Sequence, residues 1–446
     1  MNSANLESVS KVITKGTTPT TVGGKFTSKG VNFVKSDSVG QFKHLDNSLF
    51  QFIDEKTDEK LKRSRLKEND LLFSIAGAYL GKLSIVRKKD LPANTNQAVG
   101  IVRIDKAKAD VHYLYYFFSQ NNINRYINNL SSQSSQPNLN LGLLGDLKFS
   151  SRSLSTQKQI AKVLSDLDTK IEINNKINQE LEAMAKTLYD YWFVQFDFPD
   201  KNGKPYKSSG GEMVFNEELK REIPEGWEVK KLSSFCKIVD CLHSKKSDYL
   251  FENREYYLLQ LENIKQDGLI DLSKKYFVSK EEYKRWTTRI EVKENDLVIT
   301  NAGRVAGLAQ IPKGVKAGIG RNITAIRPET INPTFLYYTF QGAEMQRQIK
   351  LNTDTGSFFK SLNVRGIKEL LLVKPPKDLE DKFEEISSNH RNKRELNSRQ
   401  NQKLSELRDW LLPMLMNGQV SVGYAEQEVE SLGLVAENDL NYEKEE

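Results

Sequence analysis

A few segments of this 446-residue chain carry residue types at spacings that resemble known chemistries, and each fails a geometric requirement. Gly77-Ala78-Tyr79-Leu80-Gly81-Lys82-Leu83 imitates a phosphate loop. However, three residues instead of four separate its glycines, and Leu83 stands where a metal-binding Ser or Thr is needed. Gly318-Ile319-Gly320-Arg321 is a lone Gly-x-Gly and reads as a tight turn presenting Arg321. Pro199-Asp200 with Glu228-Val229-Lys230 mimics the carboxylate–lysine set that holds a nuclease metal, but Asp200 lies in a Pro/Gly-rich stretch. Cys236, Cys241 and His243 lack the fourth ligand and the tight spacing of structural zinc. They read as buried thiols and a surface imidazole. His44, His112, His243 and His390 accompany no nucleophile elbow. No Asn-Pro-Pro-aromatic or Asp-Pro-Pro-aromatic segment is present to hold a flipped adenine for methyl transfer. The expectation is a chain with no catalytic residue and no metal ligand.

What remains are polar, basic loops whose side chains suit phosphates and base edges. Lys15, Thr17 and Thr18 open the first set, and Ser134, Ser135, Asn138 and Asn140 close it. In the second half Cys241-Leu242-His243 stands where Lys15-Gly16-Thr17 would fall and runs into Ser244 and Lys245, and Lys360 and Asn363 lie near the end. Asn301, Arg304, Arg321 and Asn322 add to this second group. Any one of these residues taken singly reads better as an ordinary solvated loop. Their recurrence at matching places points to DNA.

The elements that position these loops are written twice. Leu66-Lys67-Glu68-Asn69-Asp70-Leu71 matches Val292-Lys293-Glu294-Asn295-Asp296-Leu297 at an offset of 226 residues. The alternating apolar residues that follow predict a half-buried strand in each copy. Gly100-Ile101-Val102-Arg103 faces Thr324-Ala325-Ile326-Arg327, Leu114-Tyr115-Tyr116 faces Leu336-Tyr337-Tyr338, and Leu139-Asn140 faces Leu362-Asn363. The offset drifts by small steps, as loop insertions produce.

Each copy reads as a mixed α/β globule followed by a long helix. Ile160, Leu164, Leu167, Ile171, Ile177, Leu181, Met184 and Leu188 step by threes and fours, interrupted at Asn174. Leu379, Phe383, Ile386, Leu404, Leu407, Leu411 and Met414 do the same around a polar middle of His390, Lys393, Asn397 and Gln400. These steps predict a coiled-coil seam, with the polar middle fixing register. Helices of about 40 residues, roughly 60 Å at 1.5 Å per residue, outrun the globules beside them, so each needs the other. The predicted boundaries are globules at 1–154 and 223–376, helices at 155–197 and 377–418, a linker at 198–222, and a flexible tail at 419–446. The linker reading rests on the Pro, Gly, Ser and Asn of 197–211.

Composition agrees. Apolar residues are 38% and charged residues 28%, enough for folded cores. No apolar run reaches the roughly 18 residues of a membrane span. The start lacks a secretory pattern and two cysteines suit a reducing compartment, so a cytoplasmic protein is expected. The net charge is +7, with an acidic 424–446 segment following a basic body, which fits a polyanionic partner.

With its doubled globule-plus-helix plan, its Ile223-Pro224-Glu225-Gly226-Trp227-Glu228-Val229 entry, its Lys-Glu-Asn-Asp-Leu strands, its 197–211 stretch and its Ser155-Thr156-Gln157-Lys158-Gln159-Ile160-Ala161 helix start, the chain resembles the specificity (S) subunit of type I restriction–modification enzymes. The resemblance covers residues 1–420. It implies an α+β fold of two mixed α/β target recognition domains, pseudo-twofold related and separated by two long helices packed as an antiparallel coiled coil. It further implies that each domain reads half of a split, asymmetric DNA site and that the helices set the spacer. Two methyltransferase (M) subunits would bring S-adenosylmethionine, and restriction/translocase (R) subunits would join them. The chain itself would be non-catalytic and bind no cofactor. The alternatives are an S-like subunit of a related system and a repeat scaffold that binds proteins and no DNA.

Overall fold

The computed structural model describes residues 3–40, 43–77, 80–130, 138–242, 249, 254–355 and 360–441. The chain divides into two compact units, residues 1–172 with 403–446, and residues 173–402.

In the first unit an antiparallel sheet contains β1 (Ser10–Lys15), β2 (Asp70–Ser74), β3 (Leu83–Ile85) and β4 (Val99–Ile104), in the order β1-β4-β2-β3. The strand predicted as half-buried is covered on both faces. Leu71 and Phe73 enter one core cluster, and Leu72 enters another with Val99 and Ile101. The apparent alternation of the sequence therefore sorts side chains between two cores rather than between core and water. A smaller sheet joins Phe26–Thr27, Gln51–Ile53, Val31–Val34 and Ala93–Thr95. Its helices include α1 (Val111–Ser119), capped by Asp110 accepting from the Tyr113 amide at 2.9 Å, α2 (Leu141–Gly145), and α3 (Leu154–Tyr189) as far as residue 172. The chain opens with a strand, Ser3–Asn5, paired with Lys148–Ser150. Its counterpart is Glu228–Lys231 paired with Leu371–Lys374.

The second unit repeats the plan. Its sheet holds β5 (Cys236–Asp240), β6 (Leu297–Thr300), β7 (Leu308–Gln310) and β8 (Ile323–Pro328), in the order β5-β8-β6-β7. Its helices include α4 (Pro333–Gln341), α5 (Val364–Lys368) and α6 (Lys377–Asn417) as far as residue 402. Again Leu297 and Ile299 face one core and Val298 another.

The repeated Lys-Glu-Asn-Asp-Leu now has a physical cause. Asn69 and Asn295 both adopt left-handed backbone, with φ of 68° and 70°, a conformation that Asn tolerates. The turn lets Asp70 and Asp296 accept from the amides of Lys67 (2.7 Å) and Lys293 (2.9 Å). Each carboxylate is then gripped by both arms of an arginine on the neighbouring strand. Arg103 lies at 2.7 and 2.7 Å from Asp70, and Arg327 at 2.8 and 2.6 Å from Asp296. Both carboxylates are buried, and burial pushes the Asp70 carboxyl above its usual range against the pull of Arg103.

The long helices depart from the predicted seam. The first runs unbroken through Asn174, and beyond Tyr189 a π-helical turn, Asp190–Val194, carries Trp192 and Phe193 together into the core. Ile160, Leu164 and Leu167 of α3 and Leu404 and Leu411 of α6 are buried in the first unit as predicted. Ile177 and Met184, predicted inside, are 38% and 57% exposed, whereas Asn174 is buried. Ile386 of α6 is likewise exposed, and Arg391, Arg394 and Asn397 are buried.

In each unit a tyrosine joins the globule to both long helices. Tyr116 of α1 donates to Asp168 of α3, which also accepts from Arg408 of α6 at 2.9 Å. Tyr338 of α4 donates to Glu182 of α3 at 2.9 Å, and Arg394 of α6 pairs with the same carboxylate. Helix starts match too. Gln157 accepts from the Asp110 amide at 2.9 Å, and Glu380 accepts from that of Asn332.

Two segments are more ordered than their composition predicts. In the expected linker Phe198 stacks on Tyr206 at 4.6 Å and on Trp227 at 5.2 Å, and Met213–Asn216 pairs with Arg221–Pro224 in a hairpin. Aromatic residues spaced among the Pro and Gly tie this stretch into the main core of the second unit. The tail, expected as flexible, forms α7 (Val422–Asn441), with Ala425 buried and Val422 and Val429 packed on the first core. Residues 442–446 lie outside the described residues.

Candidate nucleic-acid interface

In the first unit the candidates gather at one end of the sheet. Lys15 closes β1 opposite Gly100 of β4, which also faces Phe73 of β2. Lys15 is exposed. The chain then turns against Thr95. A Cβ on Gly16 would stand 2.0 Å from the Thr95 carbonyl oxygen, so only glycine fits. The Thr17 amide donates to that same oxygen at 3.1 Å, its hydroxyl accepts from Arg63 at 3.4 Å, and Thr18 donates to Gln97. Asn138 bridges Ala76 just past β2, and the Leu139 amide donates to Ile75 at 2.9 Å. Lys15, Thr17, Thr18, Asn138 and Asn140 thus meet at the β1 and β2 exits. Ser134 and Ser135 lie outside the described residues.

The second unit brings its candidates to the equivalent end. Asn301, just past β6, donates to Asp240 at the end of β5 (3.1 Å), and the same carboxylate accepts from the Thr324 hydroxyl of β8 (3.2 Å). Its amide donates to the Asn322 carbonyl at 2.8 Å, and its carbonyl accepts from Leu362 at 2.9 Å. Asn322 is left-handed, with φ of 63°, which turns Arg321 outward. Arg304 is exposed along part of its length while its guanidinium reaches the Ile264 carbonyl. Lys360 faces Thr355 in a two-stranded ladder and is exposed. His243, Ser244 and Lys245 lie outside the described residues. They follow Cys241, whose thiol is pushed up by burial.

Three of the asparagine candidates have structural work for their side chains. Asn140 caps α2 by accepting from the Leu143 amide at 2.9 Å. Asn363 caps α5 through Gly366 at 2.8 Å and donates to Asp354 at 3.1 Å. The Leu-Asn match between the halves therefore marks a shared helix cap. Asn301 is 9% exposed, so most of its surface faces protein. Exposed cationic groups remain at Lys15, Arg304, Arg321 and Lys360. Arg63, which holds the Lys15–Thr17 turn, was not singled out by sequence. It sits in a run of basic residues, and nothing in that run tells which side chain folds back.

The geometry offers cationic and amide groups around the exits of two similar sheets, suited to phosphate and base-edge contacts. Among the described residues no group of three metal-ligating side chains occurs, and no helix is long and apolar enough to cross a membrane.

Comparisons agree with this geometry. The family described as "Type I restriction modification DNA specificity domain" matches residues 1–183. The MjaIX type I restriction enzyme specificity subunit of Methanocaldococcus jannaschii is 27% identical over 350 residues, spanning 77% of this chain and 76% of that protein. The HindI specificity subunit of Haemophilus influenzae is 22% identical over 370 residues, 69% of this chain and 77% of that one. The crystal structure of a type I S subunit from M. genitalium has the same fold, with a TM-score of 0.52 at 15% identity over 93% of this chain and 96% of that one. The doubled sheets, the long helix pair and relatives that follow the chain through both halves lead to one conclusion: in sequence and in fold the chain is similar to the specificity (S) subunits of type I restriction–modification systems.

Proposed function

We propose that the chain is the non-catalytic S subunit of a type I restriction–modification system and binds a bipartite, asymmetric DNA sequence, with one half read by a target recognition domain at residues 1–154 and the other by a second at residues 223–376. The long helices at 155–197 and 377–418 form an antiparallel coiled coil with a polar centre, which sets the spacer and relates the readers by a pseudo-twofold axis. Two M subunits carrying S-adenosylmethionine dock on this scaffold, R subunits join for restriction, and the complex works in the cytoplasm.

The observation that carries this reading is that the candidate loops of both units collect at the same end of the same sheet, β1/β2 in one and β5/β6 in the other. Each reader covers few base pairs, and a mismatch costs roughly 1–3 kcal/mol, so one reader alone discriminates weakly. Holding two on one scaffold combines their selectivity without a second full association cost. The loops differ in sequence, so the two half-sites differ.

The test replaces Lys15, Thr17 and Thr18, keeping Gly16, and, separately, Arg304 with Arg321, in the complex reconstituted with M subunits. The reading expects altered preference in one half-site per variant. Equal loss at both half-sites in each variant, or unchanged specificity in both, overturns it.

A further inference from the structure

The middle of the helix pair in the second unit is built inside out. Ile173, Ile177 and Met184 of α3 point to solvent, while Asn174 is buried and Asn178 half-buried against α6. The amides interlock. Asn174 donates to Gln400 at 2.7 Å and to Asn401 at 2.8 Å, Asn401 donates to Asn175 at 2.8 Å, and Asn397 donates to Asn178 at 2.9 Å. One turn further on, Glu182 takes Arg394, itself 2% exposed, and Tyr338 of the globule at 2.9 Å. Arg394 also donates to the Asp267 carbonyl at 2.6 Å. A step from 174 to 178 along α3 is met by a step from 401 back to 397 along α6.

We propose that Asn174, Asn178, Asn397 and Asn401, closed by Glu182–Arg394, form a register lock that selects a single alignment of the two long helices and hence a single spacer length. The part about the spacer rests on the ruler reading proposed above.

The lock works because its wrong registers are penalised. Apolar residues facing apolar residues lose little when one helix slips by a turn. Here a one-turn slip in one direction brings Arg394 opposite Asn178 and Glu182 opposite His390, leaving a buried guanidinium without its carboxylate. A slip the other way brings Arg394 opposite Lys186. Unpaired or like-charged groups in a buried seam are strongly disfavoured, whereas a single buried polar layer is a known means of fixing alignment. The globule adds to this, because Tyr338 donates to the very carboxylate that defines the register. Apolar packing of Ala185, Tyr189 and Trp192 of this helical run and of Leu379 and Phe383 of α6 holds each helix to the globule as well. The lock is therefore read out as the share of molecules in a second register.

The experiment uses the full chain with spin labels at Lys176→Cys and Asn389→Cys. Both positions are exposed, and the native Cys236 and Cys241 are buried. Distances are measured between labels, alone and in the complex with M subunits. The parent gives one distance. Asn174→Leu, Asn178→Leu, Asn397→Leu and Asn401→Leu together with Glu182→Gln give a second distance, displaced by about 6 Å for a four-residue slip at 1.5 Å per residue. The leucines favour folding but Glu182→Gln strands the buried Arg394, so a second variant that also carries Arg394→Leu removes both charges, keeps the seam apolar and is expected to give the same two distances. The exchange Glu182→Arg with Arg394→Glu restores one distance, while Glu182→Arg alone does not. A single unchanged distance in the five-fold variant overturns the lock. Methylated sites mapped from the same complexes address the ruler separately. Two distances with two spacers support both readings, and two distances with the parental spacer keep the lock and refute the ruler.

Discussion

Replacing Arg103 by Met removes both hydrogen bonds to a carboxylate that has no access to water. Arg103 contacts Asp70 at 2.7 Å through each of two nitrogens, and the Asp70 side chain is 0% exposed. Breaking a buried pair by removing one partner costs roughly 3–5 kcal/mol. The Arg103 side chain is 23% exposed and therefore partly solvated, which lowers the expectation to about 2–4 kcal/mol. The loss carries a pH signature. Burial already raises the Asp70 pKa, and losing Arg103 raises it further. A carboxyl with a raised folded pKa favours the fold while protonated and loses that contribution as pH climbs through the folded value. The deficit of Arg103→Met is therefore small near the ordinary Asp pKa of about 3.9 and full at alkaline pH. Hydrogen exchange read peptide by peptide tests this. Protection should fall in residues 70–104 and stay unchanged in 297–328, and Arg327→Met should give the reverse pattern. Equal losses in both units, or a deficit that grows on acidification, would refute the reasoning.

Three other outcomes are expected. Asn140→Ala and Asn363→Ala each remove a helix cap, lowering stability by about 1 kcal/mol in thermal or urea unfolding without unfolding the chain. Tyr116→Phe removes a hydrogen bond to the Asp168 carboxylate and the hydroxyl that Lys43 approaches at 3.0 Å, so stability should drop by roughly 1.5–3 kcal/mol; calorimetry showing no change would contradict the clasp. Arg304→Ala, Arg321→Ala and Lys360→Ala should each weaken DNA binding by the reconstituted complex and flatten its dependence on log salt by about one for every phosphate no longer neutralised, measured by anisotropy titration.

The doubled architecture was legible because the repeat marks backbone requirements rather than surface chemistry. Asn69 and Asn295 sit in left-handed turns, Asp70 and Asp296 cap those turns and hold arginines, and Asn140 and Asn363 cap helices. These demands recur wherever the fold recurs. The helix seam was only half legible. Periodicity assigns apolar residues inward, and at Ile177 and Met184 it fails because amide and charge pairs across the seam take the inner positions. Nothing in a single helix's spacing reveals a partner's asparagines. Composition misled at 197–211, where Pro and Gly read as linker while Phe198, Tyr206 and Trp227 assemble a core from distant positions. The candidate site was legible as loops and less so as side chains. Whether Asn301 faces solvent or Asp240 depends on a strand far from it in sequence, and the fold-back of Arg63 onto Thr17 depends on a turn that glycine permits.

Exchanging residues 1–154 for the matching segment of a type I specificity subunit, then mapping every methylated adenine in DNA modified by the reconstituted complex, goes to the heart of the matter. Two independent readers on one scaffold require that the first half-site becomes the donor's while the second half-site and the spacer stay as they were. A complex that keeps its original first half-site, or changes both halves together, would contradict that account.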